Sequence, residues 1–546
     1  MTERKRRRAF APRARTGCRT CRIRHVRCDE TPGSCYNCSS TGRKCDGYDT
    51  AHLPLATSRA RKSIVLQMPA SIATNLRGMT ADERRSFAFF LAQTVPMITS
   101  CFSSDLWQRL VLQMTQADSA VGHAVVALSA MHQDAQVHTS PHSALRRFAL
   151  EQYNRSISML YTRLPSNDPQ LRGVVLMCCF VFVTLELLQG DYPAAMVHLQ
   201  NGLNILGMGG QRTVTFSAGG KAGLEIPTGG TERALVGAFR HLYVQAVHFA
   251  PPGTAVHFYT EDQPDSGEQC LYSLPEAKEA LDPILGDILY SFRVRCEFAV
   301  GDAASDFLTL SAERHGLLRR LKAHRVALEA LVAHRDGWSP RDLRCIDIMR
   351  VHHVTLSIIL GTLLNLSEMT YDDYLAEFNQ VADLSERVIK SLMAEHRRDG
   401  LPKMVMDMGV IPGLFWTFLK CRDASYRRRV FHILEAWPHR EGPYESDLVL
   451  NVLRVQMEIE SEGERIIRTD GQTTTTIPEC ARIREACLEL SPDRGDAFLA
   501  YRLSGDSQMQ KRRIPLAEEQ FRPLDGGKTQ YLWLTSHQPF HDVSAE

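Results

Sequence analysis

The chain has 546 residues and a nearly balanced charge, 64 Lys or Arg against 62 Asp or Glu. That near-neutral total hides an asymmetry. Residues 1–62 hold sixteen Lys or Arg against five Asp or Glu, a local +11, and the remaining 484 residues carry −9. Any nucleic-acid footprint is therefore confined to the N-terminal stretch, and the rest is long enough to bury a substantial core.

The first predicted segment is the run Arg4-Lys5-Arg6-Arg7-Arg8, continued by Arg13 and Arg15. It reads as a nuclear import signal and a phosphate-contacting arm. Residues 18–45 follow with two copies of one spacing, C-x2-C-x6-C, set apart by six residues: Cys18, Cys21, Cys28, then Cys35, Cys38, Cys45. Thiolates at about 2.3 Å suit the tetrahedral shell of zinc. A C-x2-C pair bends the chain enough to give one metal two adjacent ligands, and a short helix carries it to the third. Two separate four-ligand shells need eight ligands, so six thiolates serve two Zn2+ ions only if two sulfurs are shared. The symmetry of the repeat assigns the bridges to Cys18 and Cys35. A three-disulfide framework fits poorly, because no secretory signal precedes the cysteines and nine more are scattered unpatterned through the chain.

This stretch resembles the fungal binuclear zinc cluster, or Zn(2)-C6, transcription factors. The match covers residues 17–48, GCRTCRIRHVRCDETPGSCYNCSSTGRKCDGY, in all six cysteines, the basic first helix and the Cys28-Asp29-Glu30 step. The resemblance implies that the helix between the second and third cysteines enters the major groove of double-stranded DNA, usually over a CGG-type triplet. By position, Arg24 and His25 fall near or on the bases, and Arg22 and Arg27 on phosphates. Arginine can grip guanine O6 and N7 with two hydrogen bonds. His25 departs from the family, where lysine is frequent. A neutral imidazole donates one ring hydrogen and the protonated form two, which makes base contact there pH-dependent near neutrality. Gly33 stands where many members have proline, and can make the same turn through its backbone freedom.

Residues 46–80 read as a linker, with Pro54, Pro69 and the basic trio Arg59, Arg61 and Lys62. From about Met79 the pattern becomes helical. Ala149, Tyr153, Ile157, Leu160 and Leu164 form one predicted core stripe. Ala195, Leu199, Leu203 and Leu206 form another, with Gly207, Gly209 and Gly210 as its stop signal. Residues 174–188 are the most apolar stretch, but they are short for a membrane span and contain Glu186, so a buried central helix is expected. The leucines at 310, 317, 321, 328 and 331 fit core packing as well as a coiled coil.

A second resemblance covers ALSAMHQD (residues 127–134), YNRSISML (153–160) and ELLQGDYPAAMVHLQNGLNIL (186–206). These are similar to the all-helical regulatory domain that accompanies such clusters in filamentous fungi. The expected architecture is thus a basic arm (1–17), a small irregular two-zinc cluster module with two short helices (18–45), the linker, and a large all-α regulatory domain (81–546). The expected function is nuclear, sequence-specific regulation of RNA polymerase II genes. No H-E-x-x-H, G-x-S-x-G, Walker-type loop or strand-led G-x-G-x-x-G occurs, and an enzyme is not expected. The sequence leaves open a homodimer partner, co-regulators, and a small-molecule effector for which the body is mainly a metabolite sensor.

Overall fold

The computed structural model describes residues 18–24, 26, 28, 29, 31, 34–46, 78–137, 143–166, 168–207, 214–215, 230–246, 258–259, 270–297, 303–365, 367–396, 400–469, 472–490, 497–515 and 530–533. The basic arm, most of the linker, His25, Arg27, Gly33, Gly209 and Gly210 lie outside them. The described residues fall into two compact units, one within residues 1–94 and 113–157 and the other within residues 95–112 and 158–546.

In the first unit the cysteine segment holds α1 (Arg19–Ile23) and α2 (Tyr36–Ser39). Further on, α3 (Ala81–Phe89) begins at Thr80, whose hydroxyl accepts from the Glu83 amide while the Glu83 carboxylate accepts from the Thr80 amide. This reciprocal cap explains why the helical pattern starts so close to Met79. Helix α4 (Ser119–Val137) packs against α3, and the Ser129 hydroxyl donates to the Ser86 carbonyl. Helix α5 (Ala144–Arg163) departs from the predicted stripe. Its buried positions are Ala149, Gln152 and Ser156, whereas Ile157 and Leu164 are exposed. Polar pairing rotates the face. Gln152 donates to Glu83 and meets His123 Nδ1, and the Ser156 hydroxyl donates to the Ala120 carbonyl.

In the second unit, α6 (Leu171–Gln189) is the buried central helix expected of the most apolar stretch. It is long and apolar enough to cross a membrane, yet most of it is covered by its own chain. Gly190 ends it with φ +78°, and Asp191 caps α7 (Tyr192–Ile205) by accepting from the Ala194 amide. Ala195, Leu199, Leu203 and Leu206 are all buried, and Gly207 stops the helix with φ +75°. The unit continues through α8 (Gly230–Ala246), α9 (Leu274–Glu297), α10 (Ala303–Ala333), α11 (Pro340–Thr362) and α12 (Leu375–Glu395). Leu317, Leu321 and Leu328 of α10 are buried within this one chain, as core packing requires. Helices α13 (Ile411–Lys420), α14 (Ala424–Ala436) and α15 (Ser446–Ser461) follow.

The body is mostly helical but not all-α. A small sheet joins β1 (Met404–Val405), β2 (Arg440–Glu441) and β3 (Tyr444–Glu445), with β1 parallel and β3 antiparallel to β2. Then β4 (Arg465–Thr469) and β5 (Gln472–Thr476) form a hairpin. Four antiparallel strands complete the described chain: β6 (Ile483–Leu490), β7 (Ala497–Leu503), β8 (Gln510–Ile514) and β9 (Gln530–Trp533), in the order β8-β7-β6-β9. IREACLEL and AFLAYRL are rich in Ala, Leu and Glu, which favour helix locally. Pairing decides otherwise: Leu488 lies opposite Leu499 and Cys487 opposite Ala500, all four buried.

Candidate metal centre and nucleic-acid interface

The C-x2-C turns bring both halves of the repeat to one point. Cys18, Cys21, Cys28 and Cys35 form one group of four with every sulfur within 4.8 Å of the others, and Cys18, Cys35, Cys38 and Cys45 form a second. Cys18 and Cys35 belong to both. A tetrahedral shell with bonds of about 2.3 Å has sulfur–sulfur edges of about 3.8 Å. The Cys18–Cys35 and Cys21–Cys35 separations are 3.6 Å and the Cys18–Cys38 separation is 3.8 Å. The donor set fits metal at that scale.

Burial pushes the Cys18, Cys21 and Cys35 thiols above their ordinary pKa. Metal ligation needs thiolates, so loading this centre must release protons. Two backbone amides already point at the sulfurs: Cys21 N–H donates to Cys18 Sγ (3.3 Å) and Cys18 N–H to Cys28 Sγ (3.4 Å). Such outer donors orient ligands and stabilise negative sulfur.

Asp29 joins the two halves. Its carboxylate accepts from the amides of Tyr36 (2.9 Å) and Asn37 (3.0 Å), the first turn of α2, and from the Thr31 hydroxyl. The Thr31 and amide hydrogen bonds hold its carboxyl well below the usual carboxylate range. The sequence marks Asp29 only as part of the Cys28-Asp29-Glu30 step; its reach across the loop appears only in three dimensions. Thr20 makes a second tie, donating to Asp46 Oδ2 and accepting from the Asp46 amide, both at 3.0 Å. Asp29→Ala is expected to speed zinc loss to a chelator about tenfold, as supporting groups at metal sites do. Stopped-flow release into a colorimetric chelator measures it, and an unchanged rate would deny Asp29 this role.

The predicted DNA-contacting residues are placed unequally. Arg24 follows α1, part-buried, with Nη1 donating to Thr41 Oγ1 (3.2 Å) and the Asn37 carbonyl (3.4 Å). One edge of its guanidinium thus braces the second half of the module. Arg22 lies on α1. His25 and Arg27 fall outside the described residues. Ile23, Val26 and Tyr36 are exposed on the described part of the module.

Residues 16–53 match the fungal Zn(2)-Cys(6) binuclear cluster domain, and residues 85–225 match the fungal specific transcription factor domain. The chain therefore carries both domains of the fungal Zn(2)-Cys(6) regulators; it is a DNA-binding, metal-binding transcription regulator and not an enzyme. It is similar to the aspercryptin biosynthesis cluster-specific transcription regulator of Emericella nidulans, 25% identical over 86% of this chain and 91% of that one. The transcription regulator lscL of Purpureocillium lilacinum is 28% identical over 63% of this chain and 86% of its own. White-opaque regulator 2 of Candida albicans matches at 47% over only 49 residues, 9% of this chain and 11% of its own. That local identity exceeds the whole-length values. No solved structure matches the chain.

Proposed function

We propose that this protein is a nuclear, sequence-specific regulator of RNA polymerase II genes whose DNA reader is built around two Zn2+ ions. Cys18 and Cys35 bridge the metals, Cys21 and Cys28 complete one shell, and Cys38 and Cys45 the other. The observation that carries this reading is the pair of four-sulfur groups sharing Cys18 and Cys35, within a segment of local charge +11. The zinc supplies no reaction; it fixes the fold that presents α1 to the major groove. Arg24 and His25 read a CGG-type triplet, while Arg22 and Arg27 hold phosphates. The likeness to a regulator named as specific to a biosynthesis cluster supports control of a set of biosynthetic genes.

Selection of random DNA by the zinc-loaded full-length protein tests the reading. Enrichment of CGG-type sites is expected, with one triplet for a monomer and two at fixed spacing for a dimer. Recovery of unenriched DNA would refute it. Within an enriched site, Arg24→Ala is expected to cost about 1–3 kcal/mol and relax preference at one base pair. Equal weakening on every sequence would leave Arg24 as the brace to Thr41 and remove it from base readout.

A further inference from the structure

Arg24 stands between the two halves of the cysteine module, and its guanidinium is committed on one side only. Nη1 donates to Thr41 Oγ1 (3.2 Å) and to the Asn37 carbonyl (3.4 Å), while Nε and Nη2 have no partner among the described residues. Arginine carries five N–H donors in a rigid planar fork. Nε–H and one Nη2–H lie side by side along the edge that Nη1 does not share. That edge can grip two acceptors at once, as Arg387 does with the Asp347 carboxylate, Nε and Nη2 each at 3.0 Å.

The accepting side is fixed by the turn that ends α2. The Arg43 amide donates to the Cys38 carbonyl (3.0 Å) and the Gly42 amide to the Ser39 carbonyl (3.1 Å), with Gly42 at φ +66°. Two such bonds around a left-handed residue close a helix in the Schellman manner. They set Thr41 between Cys38 and Cys45, both members of the second four-sulfur group. The Thr41 hydroxyl turns its single hydrogen toward the carbonyls of Asn37 (2.9 Å) and Cys38 (3.1 Å), so its oxygen meets Arg24 as an acceptor. At the other end of α2 the Asp29 carboxylate holds the Asn37 amide (3.0 Å). Thr41 itself is exposed and lies outside the buried cysteine core.

We infer that Thr41 is a positioning residue for sequence readout: through Nη1 it fixes the Arg24 guanidinium so that the Nε–Nη2 edge meets guanine O6 and N7 in the major groove. The inference rests on the reading of Arg24 as a base contact. Guanine presents two acceptors to such a fork, whereas adenine presents one acceptor and one donor, so a fork held in orientation discriminates between them. An unbraced arginine loses its side-chain freedom at the moment of binding; the brace takes part of that loss in the free protein. The second half of the cluster thereby sharpens the base choice of the first, without Thr41 touching a base.

The test measures fluorescence anisotropy of zinc-loaded full-length protein on a duplex bearing a CGG triplet, on the same duplex with each guanine in turn replaced by adenine, and on an unrelated duplex. Wild type is expected to prefer guanine at the position that Arg24→Ala releases. Thr41→Val keeps shape and removes the hydroxyl. It should lose about three- to tenfold of that preference, the range of one hydrogen bond, with zinc content and affinity for the unrelated duplex unchanged. Thr41→Ser should keep the preference. Added to Arg24→Ala, Thr41→Val should change it no further, because it acts through that side chain. If Thr41→Val fails to load zinc, Thr41→Ala is read in its place, and loss of zinc in both would make Thr41 a structural residue and overturn the inference. Full preference in Thr41→Val, equal weakening on every duplex, or an effect that persists without Arg24 would overturn it while leaving the reading of Arg24 intact. No guanine preference in the wild type, or one that survives Arg24→Ala, would overturn that reading and the inference together.

Discussion

Cys18→Ala is expected to empty both metal positions and unfold residues 18–45, whereas Cys45→Ala leaves close to one zinc per chain. Cys18 belongs to both four-sulfur groups and Cys45 to one. The buried core of this module is Cys18, Cys21, Cys28, Cys35 and Cys38, with Cys45 packed against it, while Ile23, Val26 and Tyr36 are exposed. A segment with so little aliphatic burial cannot offset its own chain entropy. Its folding energy must come from the metal, and structural zinc contributes about 10–16 kcal/mol in small zinc-finger peptides. Elemental analysis should give two zinc ions per wild-type chain and near zero for Cys18→Ala or Cys35→Ala. Cys21→Ala, which removes a ligand from one shell, should still abolish specific DNA binding in a mobility-shift assay, because Cys21 lies within α1 itself and ties that helix to the metal. Equal zinc content in Cys18→Ala and Cys45→Ala would refute bridging. Normal specific binding by metal-free protein would refute the metal-built reader altogether.

The legibility of this protein in its sequence follows the range of the interactions involved. The cysteine repeat is local and stoichiometric, so ligand counting on the sequence calls for two shared sulfurs and the symmetry of the repeat points to Cys18 and Cys35, the two residues common to both four-sulfur groups. The stripe on α7 and its stop at Gly207 are equally local, set by helical period and a left-handed turn. The reading fails where a distant partner decides. On α5 the apolar stripe gives way to Gln152 and Ser156, because Glu83, His123 and the Ala120 carbonyl face that side. In β6 and β7 helix-favouring residues become strands because each supplies the other's hydrogen bonds. His352 and His353, adjacent and uninformative in sequence, diverge in the fold: one closes on the Met408 carbonyl, the other on His324 Nδ1 at 2.9 Å.

The second large effect is expected at Glu460, which is fully buried at the end of α15. Its carboxylate pairs with Arg422 (2.9 Å) and Arg427, and accepts from the Ile483 amide (3.0 Å) at the start of β6. Arg422 continues to Glu368 at 3.0 Å, and Glu368 to Lys420 at 2.7 Å, all three buried side chains. The network therefore ties α13 and α14 to α15 and the sheet. Removing one member strands buried charge, so Glu460→Ala is expected to cost about 3–5 kcal/mol. The double variant Glu460→Met, Arg427→Met should recover part of that loss, because it removes a charge on each side. Burial alone would raise the Glu460 pKa, but the Arg422 and Arg427 guanidiniums prevail and hold it at about 2. A carboxylate with a depressed folded pKa contributes stability that is complete above the unfolded value and lost as pH falls through the folded one. Wild type should thus lose this contribution between the ordinary glutamate range and about pH 2, while Glu460→Gln lacks that component of the acid slope. Urea midpoints against pH measure it, and proteolysis within residues 483–514 reports whether the sheet loosens first. A Glu460→Ala midpoint equal to wild type would mean the ion network orders the sheet without stabilising it.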